Sequence, residues 1–215
     1  MGARALRWRR RSAHEKTRAV QPMKTRRGPP FVTSRASVPL RSDGSLTLGL
    51  VADTHSSPDP RGLEQLAALK PDVIVHGGDI GDLSVLDTFA RIAPVHAVRG
   101  NIDVRAFDLP DGLVLSLTHE GRTQLTAFLT HIAVYGPKVR ADAAKRARAE
   151  KATLLLCGHS HVPFFGQDRG LTVFNPGSIG PRRFTLPILF GVMRVTSAGV
   201  KLHHVDCETG QRWEP

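Results

Sequence analysis

Residues 46–55 read LTLGLVADTH, an apolar run followed by the polar residues Asp53 and His55. Short apolar runs bounded by polar residues are typical of buried strands. Asp53 and His55 are two positions apart, so in an extended segment both side chains leave the same face and can share one ion. A solvated loop pair explains this short motif equally well when it is taken alone.

Three further polar clusters also follow apolar runs: GGD at residues 77–79, GNID at 100–103 and GHSH at 158–161. Carboxylate, carboxamide and imidazole groups are the side chains that hold catalytic divalent ions. GHSH is the most specific of these clusters, because its two histidines can each face a different ion. A helix N-cap at Asp79 and a tight turn at Gly100-Asn101 are the competing interpretations. Taken together, the four clusters predict one two-metal site.

Apolar runs and helical patterns alternate from Ser45 onward, and nine strands in so short a chain imply more than one sheet. The strand candidates are residues 46–51, 72–75, 95–98, 113–117, 124–130, 153–157, 171–174, 188–195 and 200–205. The helix candidates are residues 61–69, 83–92 with Asp82 as N-cap, and 138–151. The first three strands therefore predict a parallel β-α-β-α-β unit, and the region from Leu171 onward predicts antiparallel hairpins.

This strand order predicts a common location for the polar clusters. In α/β sheets, ligands bind beyond the carboxyl ends of parallel strands, where several loops converge. Asp53, Asp79, Asn101 and His159 each follow such a strand end. We therefore expect them to lie on one rim of the fold.

The net charge of +11 is concentrated at the N-terminus. Residues 1–45 contain 12 basic and 2 acidic residues, whereas the remaining 170 contain 18 and 17. We expect residues 1–44 to be a disordered basic tail, and residues 45–215 to be the domain. An over-long gene start, a polyanion-binding arm and an organelle transit peptide are the three explanations for this tail.

The two cysteines and the lack of a long apolar segment indicate the cellular compartment that we expect for the protein. Cys157 lies in an apolar run and Cys207 lies near the end of the chain, which favours reduced thiols over a disulfide framework. No stretch approaches the roughly 20 apolar residues of a membrane span. We expect a cytoplasmic protein without a membrane partner, with homo-oligomerisation left open.

In this order and at these intervals, the DTH, GGD, GNxD and GHSH motifs resemble the calcineurin-like metallophosphoesterase superfamily. The resemblance is stronger to its compact bacterial and archaeal phosphodiesterase branch, and it covers residues 45–207. Asn175-Pro176-Gly177-Ser178, followed by Pro181-Arg182, is similar to a further motif of that branch. The resemblance implies an α/β fold, namely a four-layer αββα sandwich with two mixed β-sheets.

The resemblance also implies a ligand set for two divalent metal ions. One ion is expected to be held by Asp53, His55, Asp79 and His161, and the other by Asp79, Asn101, His159 and one further histidine. We expect that histidine to be His131, which follows the predicted strand 124–130. His119 is the alternative, but it falls in a predicted hairpin turn.

The activity implied by the resemblance is metal-dependent phosphoester hydrolysis, of a phosphodiester more than a monoester, with a metal-bridging hydroxide as nucleophile. Manganese is the expected activator, with iron, zinc or nickel as alternatives. The expected partner is a small phosphoester. A nuclease guided to nucleic acid by the basic tail is less expected, and a non-catalytic scaffold of the same fold is the non-enzyme alternative.

One position departs from the superfamily pattern. Ile102 stands where many members have a histidine that is thought to protonate the leaving group, so the proton donor is unidentified. Asp103 could orient a ligand from behind, although a surface or capping role is equally consistent with the sequence. Asn101 and Arg182 are candidate substrate-binding residues, but a solvated Arg182-Arg183 pair is the simpler interpretation. His76 is expected to be structural.

Overall fold

The computed structural model describes residues 30–214, which contain fourteen strands and three helices. The strands are β1 (Thr33–Pro39), β2 (Leu46–Val51), β3 (Val73–His76), β4 (Val95–Ala97), β5 (Gly112–His119), β6 (Arg122–Thr130), β7 (Val134–Tyr135), β8 (Lys138–Val139), β9 (Leu154–Leu156), β10 (Phe164–Asp168), β11 (Leu171–Asn175), β12 (Leu189–Thr196), β13 (Gly199–Asp206) and β14 (Arg212–Trp213). The helices are α1 (Pro60–Ala68), α2 (Ser84–Ala90) and α3 (Ala141–Ala149).

Twelve of these strands form two six-stranded sheets. Sheet A has the order β1-β5-β6-β9-β11-β10, and sheet B has the order β14-β13-β12-β2-β3-β4. Both sheets are mixed: β6, β9 and β11 are parallel in sheet A, as are β2, β3 and β4 in sheet B, whereas the hairpins β5-β6 and β12-β13 are antiparallel. The remaining strands, β7 and β8, form a separate short hairpin.

Three apolar clusters show how the layers stack. Strand β3 illustrates the pattern, because its side chains alternate between two faces: Val73 and Val75 pack between the sheets, whereas Ile74 packs on the outer face of sheet B. Phe89 of α2 covers that outer face. Ala144 of α3 packs on the outer face of sheet A. The predicted four-layer αββα sandwich with two mixed sheets is therefore confirmed.

Strand β1 corrects the predicted domain boundary at residues 44 and 45. Residues 33–39 pair in parallel with β5, from Thr33 opposite Gly112 to Pro39 opposite Thr118. They belong to sheet A, so a disordered tail reaching to residue 44 is wrong for this segment. The predicted disorder of residues 1–29, and the nucleic-acid contact assigned to them, lie outside the described residues.

Two smaller expectations also change. The third predicted helix begins later, at Ala141, because Lys138 and Val139 pair as β8 with β7. Strand β11 is not only part of a hairpin, since it pairs in parallel with β9 as well as antiparallel with β10. Within residues 30–214, no helix has the length and apolar character needed to cross a membrane.

Candidate metal centre

The seven predicted ligand residues all follow carboxyl ends of parallel strands, and they come from both sheets. In sheet B, Asp53 and His55 follow β2, Asp79 follows β3 and Asn101 follows β4. In sheet A, His131 follows β6, and His159 and His161 follow β9. The structure therefore places the predicted residues on one rim, as the strand order predicts.

Two groups of donors lie on this rim. Asp53, His55 and His161 form the first group, and Asp79, His131 and His159 form the second; within each group the candidate ligand atoms lie within 4.8 Å of one another. Asp53, Asp79, His131 and His161 are buried, whereas His55 is half-buried and His159 is exposed. The site thus has a buried floor and one side open to solvent.

Asp79 lies between the two groups. Its Oδ2 is 3.8 Å from His55 Nε2, and its Oδ1 is 3.1 Å from His131 Nε2. Asn101 adjoins the second group, because its Oδ1 is 3.2 Å from His131 Nε2. Asp79 thus faces both groups, which is consistent with the place in both ligand sets that the resemblance implies for it.

A backbone contact fixes the tautomer of His131. Its Nδ1 lies 2.8 Å from the carbonyl oxygen of Gly77, which can only accept, so Nδ1 carries the proton and donates it. The lone pair of the neutral ring is then on Nε2, the atom that faces Asp79 and Asn101. This carbonyl–histidine contact is the support that metal-ligating histidines ordinarily have.

The first group contains an unusual contact between two imidazoles. His55 Nε2 and His161 Nε2 are 3.1 Å apart, and the rings stack with centroids 5.0 Å apart. Arg183 Nη2 donates to the same His55 nitrogen at 3.1 Å, so this nitrogen carries a lone pair. His161 Nδ1 is buried and has no hydrogen-bond partner within residues 30–214. Two imidazole nitrogens that converge beside a carboxylate are a donor set that suits a divalent cation.

The electrostatics of the buried floor also favour a cation. Burial raises the pKa of Asp53 to about 7, and the nearby Asp79 carboxylate adds to this effect. Burial lowers the pKa of His161 to about 4, assisted by the charges of Arg183 and His55. Burial likewise lowers the pKa values of His55 and His159. The residues present therefore fit divalent ions, because burial favours the neutral form of these three histidines and a positive charge would stabilise the Asp53 carboxylate.

The second group has a different charge balance. Burial opposes ionisation of Asp79, but the hydrogen bond and charge of His131 outweigh it and hold the pKa of Asp79 at about 2. Burial likewise disfavours the charged His131, yet the hydrogen bond to Asp79 and the charges of Asp53 and Asp79 raise the pKa of His131. A cation in this group would compete with a proton for His131 Nε2.

Close backbone packing brings the loops to these positions. A Cβ atom on Gly78 would lie 2.8 Å from His131 Nδ1, and one on Gly158 would lie 2.9 Å from Asp53 Oδ2. Gly78 also has a φ of +92°, which other residues rarely adopt. The glycines of GGD and GHSH are therefore required by the approach of the two sheets.

Asp103 connects the loop that carries Asp79 with the loop that carries Asn101. Its buried carboxylate accepts hydrogen bonds from the backbone N–H groups of Ile80, Gly81 and Gly100, at distances of 2.7–3.1 Å. Ile80 and Gly81 follow Asp79, and Gly100 precedes Asn101. Of the two roles open for Asp103 in the sequence, the structure favours orientation of ligands over a surface position.

The NPGS segment supports the GHSH and DTH loops. Asn175 Nδ2 donates to the Gly158 carbonyl oxygen at 2.7 Å and to Ser160 Oγ at 3.1 Å. Ser178 Oγ donates to the backbone carbonyl of Asp53 at 2.9 Å. The sequence contained this motif without revealing these contacts. Asn175 and Ser178 thus hold the backbone on which the candidate ligands are mounted.

His76 has the structural role that the sequence predicts. Its Nδ1 accepts from the Gly78 N–H at 3.1 Å, so Nε2 carries the proton and donates to Thr54 Oγ1 at 3.1 Å. The ring is fully buried, and burial lowers its pKa to about 3. A neutral His76 therefore holds the GGD turn rather than facing the candidate metal centre.

Arg183, rather than Arg182, is the arginine that contacts a candidate ligand. Arg182 pairs with Glu208 at 2.7 Å and donates to the Leu186 carbonyl at 3.0 Å, so its guanidinium is engaged elsewhere. Arg183 contacts His55 instead. The structure gives no support to the predicted substrate contact of Arg182, because its guanidinium contacts Glu208 and Leu186.

The structure also locates His119 and Ile102 relative to the two donor groups. His119 ends β5 at the hairpin and belongs to neither donor group. Ile102 donates its backbone N–H to Asp79 Oδ1 at 3.2 Å, and its side chain is 40% exposed. The Ile102 backbone thus contacts a candidate ligand, and its apolar side chain has no proton to donate.

Two donor groups on the rim of an αββα sandwich define a candidate centre of the metallohydrolase type. The model of the calcineurin-like phosphoesterase superfamily domain matches residues 46–198, and the chain belongs to this superfamily. A probable metallophosphoesterase of Methanocaldococcus jannaschii is 31% identical over 143 residues, which cover 63% of this chain and 69% of that protein. Members of this family are metal-dependent phosphoesterases.

Solved structures share the fold. The phosphoesterase YfcE from E. coli aligns with a TM-score of 0.53 at 20% identity, covering 79% of this chain and 97% of that one. Vps29 from Entamoeba histolytica, solved in complex with Zn²⁺, aligns with a TM-score of 0.57 at 19% identity, covering 75% and 99%. At these identities the likeness establishes the fold alone.

Proposed function

We propose that this protein hydrolyses phosphodiesters with two divalent metal ions, and that Mn²⁺ is an effective activator. The observation that carries this proposal is the pair of donor groups, Asp53/His55/His161 and Asp79/His131/His159, with Asp79 facing both. Cations held there would lower the pKa of a water molecule and neutralise charge on the phosphoryl oxygens. Zn²⁺ in a Vps29 structure of the same fold supports the choice of divalent ions.

The residues of the chain itself have distinct tasks in this proposal. Asp53, His55, Asp79, Asn101, His131, His159 and His161 hold the cations. His131 is kept in the required tautomer by the Gly77 carbonyl, and Asp53 is oriented by the backbone N–H of His159 at 2.9 Å. These contacts keep the donors in position before the substrate arrives, which reduces the reorganisation needed for the reaction.

Arg183 is proposed to bind the substrate phosphate. Its guanidinium donates to His55 Nε2 at 3.1 Å. Once that nitrogen binds a cation, it can no longer accept this hydrogen bond. The guanidinium then lies beside the centre with a donor available for a phosphoryl oxygen, the partner that arginine prefers.

A diester is favoured over a monoester because Ile102 supplies no proton donor beside Asn101. Loss of a strongly basic leaving group needs a proton donor, and Ile102 occupies the position next to Asn101 without supplying one. A diester also carries less negative charge than a monoester dianion, so less charge has to be neutralised at the centre. The proposed substrate is therefore a small phosphodiester with a weakly basic leaving group.

The test is a metal-supplemented assay of bis(4-nitrophenyl) phosphate and 4-nitrophenyl phosphate, with wild-type protein and site variants. Asp79→Asn and His131→Ala are expected to lower kcat by at least 100-fold. Asp108→Asn and His119→Ala are matched controls, because Asp108 is exposed and His119 ends a hairpin outside both donor groups. Both controls should retain wild-type kcat.

Each outcome of this assay decides one part of the proposal. Equal background rates for wild type and Asp79→Asn, together with no Mn²⁺ binding in calorimetry, would establish the scaffold interpretation. Faster turnover of the monoester than of the diester would overturn the substrate class. Loss of activity in His119→Ala but not in His131→Ala would reverse the assignment of the seventh ligand.

A further inference from the structure

A pocket of about 290 Å³ opens directly beside the second donor group and contains Arg99. Its wall next to the metal centre is formed by Asn101 and His131, which are also candidate ligands. A group bound in this pocket would therefore be attached to, or lie next to, whatever occupies the centre. We call this cavity the Arg99 pocket.

Arg99 is held rigidly but keeps donors for a ligand. Its Nε–H donates to Asp111 Oδ1 at 2.7 Å, and its backbone N–H donates to the Pro110 carbonyl at 2.9 Å. Its two Nη groups make no hydrogen bond to any of residues 30–214. Only 22% of the side chain is exposed, so the guanidinium is fixed in the pocket wall.

The acidic groups of the pocket are already partnered. Asp111 accepts from Arg99 through Oδ1 and from the Val32 N–H through Oδ2 at 2.7 Å. Asp142 binds Arg140 through both carboxylate oxygens, each at 3.1 Å, and leaves one Nη group of Arg140 without this partner. The pocket therefore has more unpaired hydrogen-bond donors than unpaired acceptors, and this suits an anionic ligand.

Two apolar side chains complete the part of the lining that the proposal uses. Phe31 and Ile132 both face the cavity, and the guanidinium of Arg146 covers one face of the Phe31 ring at 3.9 Å from its centroid. An organic linker can pack against these side chains between a phosphoester at the centre and an anionic group at Arg99. Apolar walls with a few fixed polar groups are typical of small-molecule sites.

We propose that the Arg99 pocket binds a second negatively charged group of the substrate, a carboxylate or a phosphate, carried on a short organic linker from the scissile phosphodiester. This inference rests on the proposed function and narrows its substrate class. Arg99 acts as a specificity residue that recognises the second anion. It takes no part in the bond cleavage.

Calorimetry with non-hydrolysable probes tests this inference without measuring activity. Mn²⁺-loaded wild-type protein is titrated with ω-phosphonoalkanoates of two to five carbons and with alkylphosphonates of the same lengths, which lack the second anion. A matching series of alkyl bisphosphonates distinguishes a carboxylate site from a phosphate site. One chain length is expected to bind about tenfold more tightly than its alkylphosphonate counterpart, because a charge-assisted bidentate contact is added.

Variants assign the effect to the pocket. Arg99→Gln should remove the tenfold gain in affinity and leave alkylphosphonate binding unchanged. Arg99→Lys keeps a positive charge and should retain part of the gain, so it serves as the second variant if Arg99→Gln folds poorly. Arg182→Gln is the matched control, because Arg182 pairs with Glu208 and does not line the pocket.

The results separate the two proposals. If alkylphosphonates bind and the second anion adds nothing at any chain length, the inference about the pocket is wrong and the metal centre stands. A gain that persists in Arg99→Gln also overturns it. If no phosphonate binds the Mn²⁺-loaded protein, the inference fails, and the proposed function fails with it only when bis(4-nitrophenyl) phosphate is also not hydrolysed.

Discussion

Replacing Asp103 with asparagine is expected to weaken Mn²⁺ binding by about 10–100-fold, the usual effect of removing a residue that orients metal ligands. The Asp103 carboxylate accepts hydrogen bonds from three backbone N–H groups on two loops. Asparagine keeps one acceptor oxygen and turns an NH₂ group toward the remaining N–H donors. The loops that carry Asp79 and Asn101 would then separate.

The expected change in the free energy of unfolding of Asp103→Asn follows from the same contacts. A hydrogen bond to a charged group contributes about 1.5–3 kcal/mol, and a buried donor left unpaired costs about 1–3 kcal/mol. Loss of one such bond, with partial relaxation of the loops, gives an expected decrease of about 2–4 kcal/mol in the free energy of unfolding. Asp103 is 4% exposed, so solvent cannot replace the lost acceptor without a local opening.

The assay combines calorimetric titration of Mn²⁺ with urea unfolding of the metal-free protein. Asp108→Asn is the matched control, because it removes the same charge from an exposed residue of the same loop. The control should bind Mn²⁺ and unfold like wild type. If Asp103→Asn also binds Mn²⁺ within twofold of wild type and unfolds at the same urea concentration, the connecting role of Asp103 is refuted.

Three further predictions concern the core, the thiols and the GHSH loop. Phe89→Ala should lower the free energy of unfolding by about 3–5 kcal/mol in urea, because Phe89 is fully buried under sheet B; a change below 1 kcal/mol would contradict this packing. Cys157 and Cys207 should not react with a thiol reagent at pH 8 until the protein unfolds, because both are buried and burial raises the pKa of each to about 12; rapid labelling of the native protein would disprove it. Gly158→Ala should weaken Mn²⁺ binding at least tenfold, since the added Cβ would lie 2.9 Å from Asp53 Oδ2; wild-type affinity in calorimetry would show that the loop can move aside.

Most of the sandwich could be predicted because its central strands have continuous apolar runs. Strands β2, β3 and β9 are buried on both faces, which gives an apolar run in the sequence. Strand β1 lies at the edge of sheet A, and of its seven residues only Val38 is buried. Its polar sequence therefore resembles the basic segment before it, and only the pairing with β5 reveals it as a strand.

The candidate ligands could be predicted for a related reason, because each lies within five residues of a strand end and strand ends are visible in the sequence. The arginines could not be assigned in this way. Arg182 and Arg183 are adjacent, and Arg182 pairs with Glu208, which lies 26 positions further along the chain. The contact between Arg183 and His55 likewise depends on the meeting of two distant loops.

The candidate ligands also adopt a backbone conformation that the sequence does not reveal. Asp53, His55, Asp79, His159 and His161 have φ values between +44° and +73°. This left-handed conformation costs about 1–3 kcal/mol for each non-glycine residue and persists only where the surrounding structure enforces it.

Contacts between the loops provide that enforcement. The Asp53 N–H donates to the Gly78 carbonyl at 2.9 Å, and the His55 N–H donates to the Asp79 carbonyl at 3.0 Å. Across the sheets, the Gly158 N–H donates to the His131 carbonyl at 2.9 Å. The ligand loops are thus joined to one another by backbone hydrogen bonds, which help to hold this conformation. We therefore expect the metal affinity of the candidate centre to depend on the residues that join these loops, as well as on the ligands themselves.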